Sequence, residues 1–402
     1  MSPHTVSTPA LLRLGFRPFF LGAGAFAVVS MGLWMALYGF GWQGLTPAYP
    51  AVFWHGHEMV FGYAVAVVAG FLLTAIRNWT GLPTVSHWPL LVLAGLWLLA
   101  RLLPFTGAGL VWTVAADLGF MAGLLAAAAI PIIRTRQWVQ AGIISKLLLL
   151  WLANAGFYLG LSGYWPLGVT VGLYAGFYLI LALILTMGRR VIPFFIERGI
   201  DSPFKARNRV WIDRTSLVLF LVFVLAQVTA LATGDRTAAW LAAWLAAWLA
   251  LVQALLHAVR LWGWHQREIW RKPLLWVLFL AYGWLIAGFV LTFLVPFGLA
   301  SFWLALHAFG VGGIGLMTAG MMARVTLGHT GRNVFEPPPL LTVLFLLLLS
   351  AAVVRVLPVW WWPAQQAVWV MASQLLWIAA FLLLLWIYAP MLARPRVDGG
   401  DG

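Results

Sequence analysis

The chain contains no cysteine among its 402 residues. That excludes disulfides, thiolate metal ligands, cysteine-held iron–sulfur clusters and covalent c-type haem attachment. Any metal or haem must be held by His, Met, carboxylate or backbone. Charge is nearly as scarce, at 8% of residues, with only ten Asp and Glu in all. With 63% hydrophobic residues and a mean hydropathy of +0.96, no water-soluble domain fits. The composition predicts an all-α, polytopic integral membrane protein. The first apolar run, 19–40, is too long for the core of a cleavable signal peptide, and no small-residue cleavage site follows it.

A window of about 19 residues predicts about twelve spans, at approximately 19–40, 54–76, 88–106, 109–132, 143–161, 166–187, 215–233, 237–260, 274–295, 300–323, 339–357 and 364–388. All but Arg101, Arg236 and Arg355 of the 24 Lys and Arg fall on one side of this layout. The positive-inside rule then places both termini in the cytoplasm. Residues 1–402 read as one transmembrane helical domain: 1–187 holds the first six spans, 188–214 is a cytoplasmic loop, and 215–402 holds the last six spans and a short tail. The net charge of +14 is thus a topology signal and an attraction to anionic lipid head groups, with no call for nucleic acid as a partner. Many of the 26 Trp fall near span ends, as in Trp360-Trp361-Trp362, and read as interfacial anchors.

Against this background the opening of span 2 is unusual. Trp54-His55-Gly56-His57-Glu58-Met59 places two imidazoles and a carboxylate at the outer end of a membrane helix, where ionisable groups are expensive and mark a site. His307 lies about 10 Å down span 10 from the same surface, at 1.5 Å per residue, so the three His share one depth layer. At 100° per residue His55, Glu58 and Met59 fall on one face and His57 on the opposite one. Two His at i and i+2 of a regular helix cannot bind one ion. Either the helix is unwound there, or the two His serve different centres. One arrangement has one His of span 2 and His307 as axial ligands of a haem. The other span-2 His, with Glu58 or Met59, then holds copper, since imidazole and thioether suit that metal. Glycines 310, 312, 313 and 315 bare one face of span 10, either for a flat macrocycle or for close helix packing. Arg101 and Arg355, isolated near outer span ends, are candidates to pair with haem propionates. Asp117 and Asn154 either belong to a polar pathway or bond to a neighbouring helix.

The sequence resembles the NnrS family. The resemblance rests on Gly15-Phe16-Arg17-Pro18-Phe19-Phe20, on Trp54 to Tyr63, on Gly70 to Ala75, on Asn78-Trp79-Thr80-Gly81, on Gly188 to Phe195 and on Met322 to Arg332. These stretches follow in order along nearly the whole chain. The resemblance implies a bacterial inner-membrane protein of the nitric oxide response that contains haem, of b type in the absence of Cys, and copper. It implies nitric oxide or a related small molecule as ligand. The family pattern also implies a His ahead of the Tyr of span 9; here Phe279 stands in that place.

Two functions follow as expectations. One is haem- and copper-dependent handling of nitric oxide, by turnover, sensing or sequestration. A conventional haem–copper oxidase is excluded, because such a centre needs more His than this outer layer supplies. The other is a secondary transporter of a small molecule, metal or nitrosyl complex, suggested by six spans, a basic loop and six spans. The loop after span 2, Arg77 to Pro83, lacks the charged motif of the major facilitator transporters, and no half-to-half repeat is visible.

Overall fold

The computed structural model describes residues 9–46 and 49–400. Within them lie twelve helices long and apolar enough to cross a membrane. In chain order these are α1 (Phe16–Gly39), α2 (Ala51–Thr80), α3 (His87–Phe105), α4 (Leu110–Arg134), α5 (Trp138–Leu161), α6 (Gly168–Gly199), α7 (Val210–Ala232), α8 (Arg236–Trp264), α9 (Pro273–Leu294), α10 (Phe302–His329), α11 (Leu340–Trp361) and α12 (Pro363–Ala393). No strand occurs among the described residues. Each span follows from a run of Leu, Ala, Val and Phe, ended by Gly in the left-handed conformation (Gly81, Gly163, Gly298) or by short polar loops.

From α3 onward each helix packs on its sequence neighbour, and α12 closes against α1. The two central helices are α2 and α10. In α2, 78% of the most apolar window is buried, and in α10, 67%, against 28% in α7 and α8. The helices with the odd His residues are therefore those least exposed to lipid. They touch through the hydrogen bond between Tyr63 Oη and Thr318 Oγ1, 2.7 Å long. Polar groups that face each other across helices in an apolar bundle contribute about 0.6–2 kcal/mol.

The two chain ends meet. Arg17, buried on the first turn of α1, donates to the carbonyls of Leu392 at 2.8 Å and Arg394 at 2.7 Å. Those carbonyls belong to the end of α12, where a helix leaves its last C=O groups unpaired and its dipole favours a cation. The motif around Arg17 thus ties the first helix to the last, and it places the start of α1 and the end of α12 at the end of the bundle that carries the basic loops.

One expectation changes. The polar segment expected as a loop over 188–214 is mostly helix: α6 runs on to Gly199 and α7 starts at Val210. The Arg pair that ends the apolar run does not end the helix, because each side chain finds a partner. Arg189 bonds to Asp213 at 2.9 Å and Arg190 to Gln140 at 3.0 Å.

Candidate functional site

Both central helices depart from regular α geometry in the same layer. In α2 the backbone widens to i→i+5 hydrogen bonding over Glu58–Ala64, and in α10 over Ala308–Gly315. Each widened stretch starts immediately after a His. Such segments are rare and occur mostly at functional sites.

Between these stretches lies a cavity of about 430 Å³. It is bounded by α1, α2 and α6 on one side and by α10, α11 and α12 on the other. His55, Met59, His307 and Arg355 line it, within a wall of aromatic rings that includes Trp34 and Trp377. Its rim carries the exposed residues Tyr38, Val52 and Trp303, so it opens at the end opposite the basic loops. The volume and the mostly apolar wall with a few polar groups are those of a small-molecule or cofactor site.

The two cavity imidazoles are held differently. His55 lies flat on Trp34, with ring centroids 4.3 Å apart and planes 4° from parallel. Its Nδ1 is buried without a hydrogen-bond partner. In His307, Nδ1–H donates to the carbonyl of Trp303 at 2.7 Å. The lone pair is thereby left on Nε2, the usual tautomer of a His whose far nitrogen is set up to bind a metal. That Nε2 accepts from Arg355 Nη2 at 3.0 Å. Among the described residues Arg355 makes no ion pair.

His57, Glu58 and Arg101 are placed elsewhere. They form a buried cluster with Asp117 and Asn154 among α2, α3, α4 and α5. Arg101 pairs with Glu58 Oε2 at 3.0 Å and more closely with Asp117 Oδ1. His57 Nδ1 lies 3.1 Å from Glu58 Oε1, and His57 Nε2 lies 2.8 Å from Asn154 Oδ1. The Asn154 amide is oriented by its other end, since Nδ2 donates to Asp117 Oδ2 at 2.8 Å. Both ring nitrogens of His57 therefore face acceptors, and both donate. An imidazolium and a guanidinium then balance two carboxylates, and the cluster is neutral. Charge balance is what makes four charges tolerable inside an apolar bundle, although Arg101 Nε and Nη1 and Glu58 Oε2 make no hydrogen bond. Tyr158 Oη adds a bond to Asp117 at 3.1 Å. Tyr49, in the connection between α1 and α2, closes the cluster edge-on to His57. Burial, and after it the Glu58 carboxylate, push the Tyr49 phenol well above its usual range, so it stays neutral.

The residues singled out from the sequence thus separate into two groups. His55, Met59, His307 and Arg355 converge on the cavity; His57, Glu58 and Arg101 are engaged with Asp117 and Asn154 on the other side of α2. Arg101, expected to be isolated, has two carboxylate partners. Of glycines 310, 312, 313 and 315, only Gly310 borders the cavity. At Gly312, Gly313 and Gly315 a side chain would run into Trp284, Leu285 and Trp377 respectively, so those three serve close packing against α9 and α12. Phe279 is remote from the cavity and packs against His265 and Trp270. Sequence reasoning missed Trp34, the floor under His55, and Gln374, a cavity residue with a buried, unpaired Nε2. A lone Gln in the apolar run of span 12 was the available signal.

Among the described residues no group of three or more His, Cys, Asp or Glu is placed to hold a metal ion. A metal in the cavity has two imidazoles and the Met59 thioether as its protein donors, a soft set that suits copper or haem iron over magnesium or calcium. Comparison with curated proteins gives no match. A family model described as NnrS protein matches residues 10–396. The chain is a helical membrane protein of the NnrS family.

Proposed function

We propose that this protein is a haem- and copper-binding protein of the bacterial inner membrane that acts in nitric oxide metabolism or resistance to nitrosative stress, with its centre in the cavity between α2 and α10. The observation that carries the proposal is that His55 and His307, from the two most buried helices, line one cavity, where His55 Nδ1 has no hydrogen-bond partner and the His307 Nε2 lone pair meets the cavity guanidinium of Arg355. The residues present fit the group. His55 and His307, from facing helices, would hold haem iron through imidazole, Arg355, which makes no ion pair among the described residues, would pair with a propionate, and the aromatic wall would accept a flat ring. Met59, one turn from His55, supplies the thioether for copper.

Haem iron supplies nitric oxide binding. The chain supplies everything around it. The Trp303 carbonyl holds His307 in the tautomer whose Nε2 lone pair faces Arg355 in the cavity, Trp34 fixes the plane of His55, and the apolar wall lets a weakly polar gas enter from the lipid. Positive-inside topology puts this cavity in the periplasmic half, with both termini in the cytoplasm. The test is the haem and copper content of protein purified after expression with both supplied. Close to stoichiometric haem supports the proposal, and colourless, metal-free protein removes it.

A second reading draws on the same cavity. It lies between the first six and the last six helices, which is where transporters bind substrate. In that reading His55 and His307 are ligands of a transported metal or nitrosyl complex. Uptake of such a complex into vesicles by haem-free protein would favour it.

A further inference from the structure

At the opposite end of the bundle from the cavity, a second pocket of about 200 Å³ lies where α6 ends and α9 and α11 begin. Three cations line it: Arg271 and Lys272 from the loop before α9, and Arg324 from the last two turns of α10. Their charges are poorly compensated. Arg271 and Arg324 make no ion pair among the described residues, and Lys272 has the 89% exposed Asp201, at 3.7 Å, with the Glu268 carboxylate in electrostatic range. The Arg324 guanidinium lies over the Phe195 ring, 3.9 Å from its centroid, a contact that positions it and leaves its charge unneutralised. Glu336 is exposed and forms no ion pair among the described residues. The starts of α9 and α11 also border the pocket, and neither has an acidic first turn or a capping side chain. Their dipoles add positive potential to that of the cations.

Three cations share the lining of one concave site. Other buried Arg residues are compensated differently: Arg101 and Arg260 pair with carboxylates, and Arg17 donates to backbone carbonyls. Leu340 and Val343, next in sequence to the lining residues Pro339 and Thr342, are exposed and apolar, as a lipid-facing surface is. From these observations we infer that the pocket bound by Arg271, Lys272 and Arg324 is a binding site for a phosphate group at the basic-loop face of the membrane. The phosphate belongs either to the head group of an anionic phospholipid, whose acyl chains would run along α11, or to a soluble phosphate compound. The shared chemistry is a dianionic or monoanionic phosphate accepting from two guanidiniums and an ammonium. The site is independent of the cavity between α2 and α10 and of what that cavity binds.

The experiment uses the full chain in detergent. Native mass spectrometry counts phosphatidylglycerol and phosphatidylcholine retained from an equimolar mixture, and a thermal melt is recorded with inorganic phosphate against sodium chloride of matched ionic strength. Both are repeated with Arg271→Gln/Lys272→Gln, at one exposed and one half-buried lining position, and with Arg324→Gln. Preferential retention of phosphatidylglycerol that falls about fivefold for each cation removed identifies a lipid head group. A phosphate-specific rise in melting temperature that the variants lose identifies a soluble phosphate ligand. Equal retention of the two lipids with no phosphate effect, or effects that persist in both variants, overturns the proposal.

Discussion

His55 and His57, two residues apart on α2, face opposite sides of the helix and have opposite roles. The His55 ring lies flat on Trp34 in the cavity wall, whereas the His57 ring is clamped between Glu58 and Asn154 in a charge-balanced cluster. One imidazole keeps a free nitrogen; the other gives both N–H groups to acceptors. Substituting each should therefore have different consequences. His57→Ala leaves two carboxylates facing one guanidinium in an apolar interior, and breaking a buried charge set of this kind costs about 3–5 kcal/mol. His55→Ala removes a half-buried ring beside a cavity and should cost less than about 2 kcal/mol. Thermal melts of the two variants in one detergent check this, and equal losses would contradict the division of roles.

Charge balance in the cluster makes a second prediction. Arg101→Met alone leaves Glu58 and Asp117 against His57 only. Combining it with Glu58→Gln restores neutrality, because one cation and one anion then remain. The double variant should be more stable than the sum of the two single losses allows, by about 1–3 kcal/mol of coupling. Additive losses would mean that the four groups do not act as one unit.

Glycines on the two central helices should divide by what lies in front of them. A side chain at Gly62 would collide with the Glu58 carboxylate and the Arg101 guanidinium, so Gly62→Ala should destabilise by about 1–3 kcal/mol through overpacking. At Gly310 the nearest atom is 3.9 Å away, on Phe177. Gly310→Ala should melt within about 0.5 kcal/mol of the parent while narrowing the cavity, so its effect should be on ligand content and not on stability.

The absence of Cys permits a direct topology test. Single cysteines at Ser162, exposed in the connection between α5 and α6, and at Lys205, between α6 and α7, lie at opposite ends of the bundle. In intact cells a membrane-impermeant maleimide should label the Ser162→Cys protein, and the Lys205→Cys protein only after permeabilisation. The reverse pattern would invert the bundle and put the cavity on the cytoplasmic side.

Hydropathy alone located all twelve spans to within a few residues at most ends, because a lipid-crossing helix must be apolar along its length and needs nothing else from the sequence. The extension of α6 to Gly199 escaped because a helix outside the apolar layer is held by particular partners, here Asp213 for Arg189 and Gln140 for Arg190. At the site, the helical angle between His55 and His57 left two alternatives, an unwound helix or two separate roles, and the rings lie on different sides of α2. Glu58 was assigned to the His55 face on that same angle, yet its side chain reaches round to His57 and Arg101. The widened backbone that starts at Glu58 shifts the angles, and a carboxylate takes the direction of the nearest cation. Arg101 could not be paired in advance because Asp117 lies on the next helix, and only packing brings the two together.

The central claim is that His55 and His307 hold one cofactor across α2 and α10. The measurement that tests it most directly is the ultraviolet–visible spectrum, with haem and copper analysis, of the purified parent, His55→Ala, His307→Ala and His57→Gln proteins, each with and without nitric oxide. The account predicts a Soret band in the parent that shifts with nitric oxide. It predicts that the band is lost or strongly altered in the His55 and His307 variants and retained in whatever His57→Gln protein folds. A band unchanged by both cavity substitutions, or one abolished only by loss of His57, would contradict it.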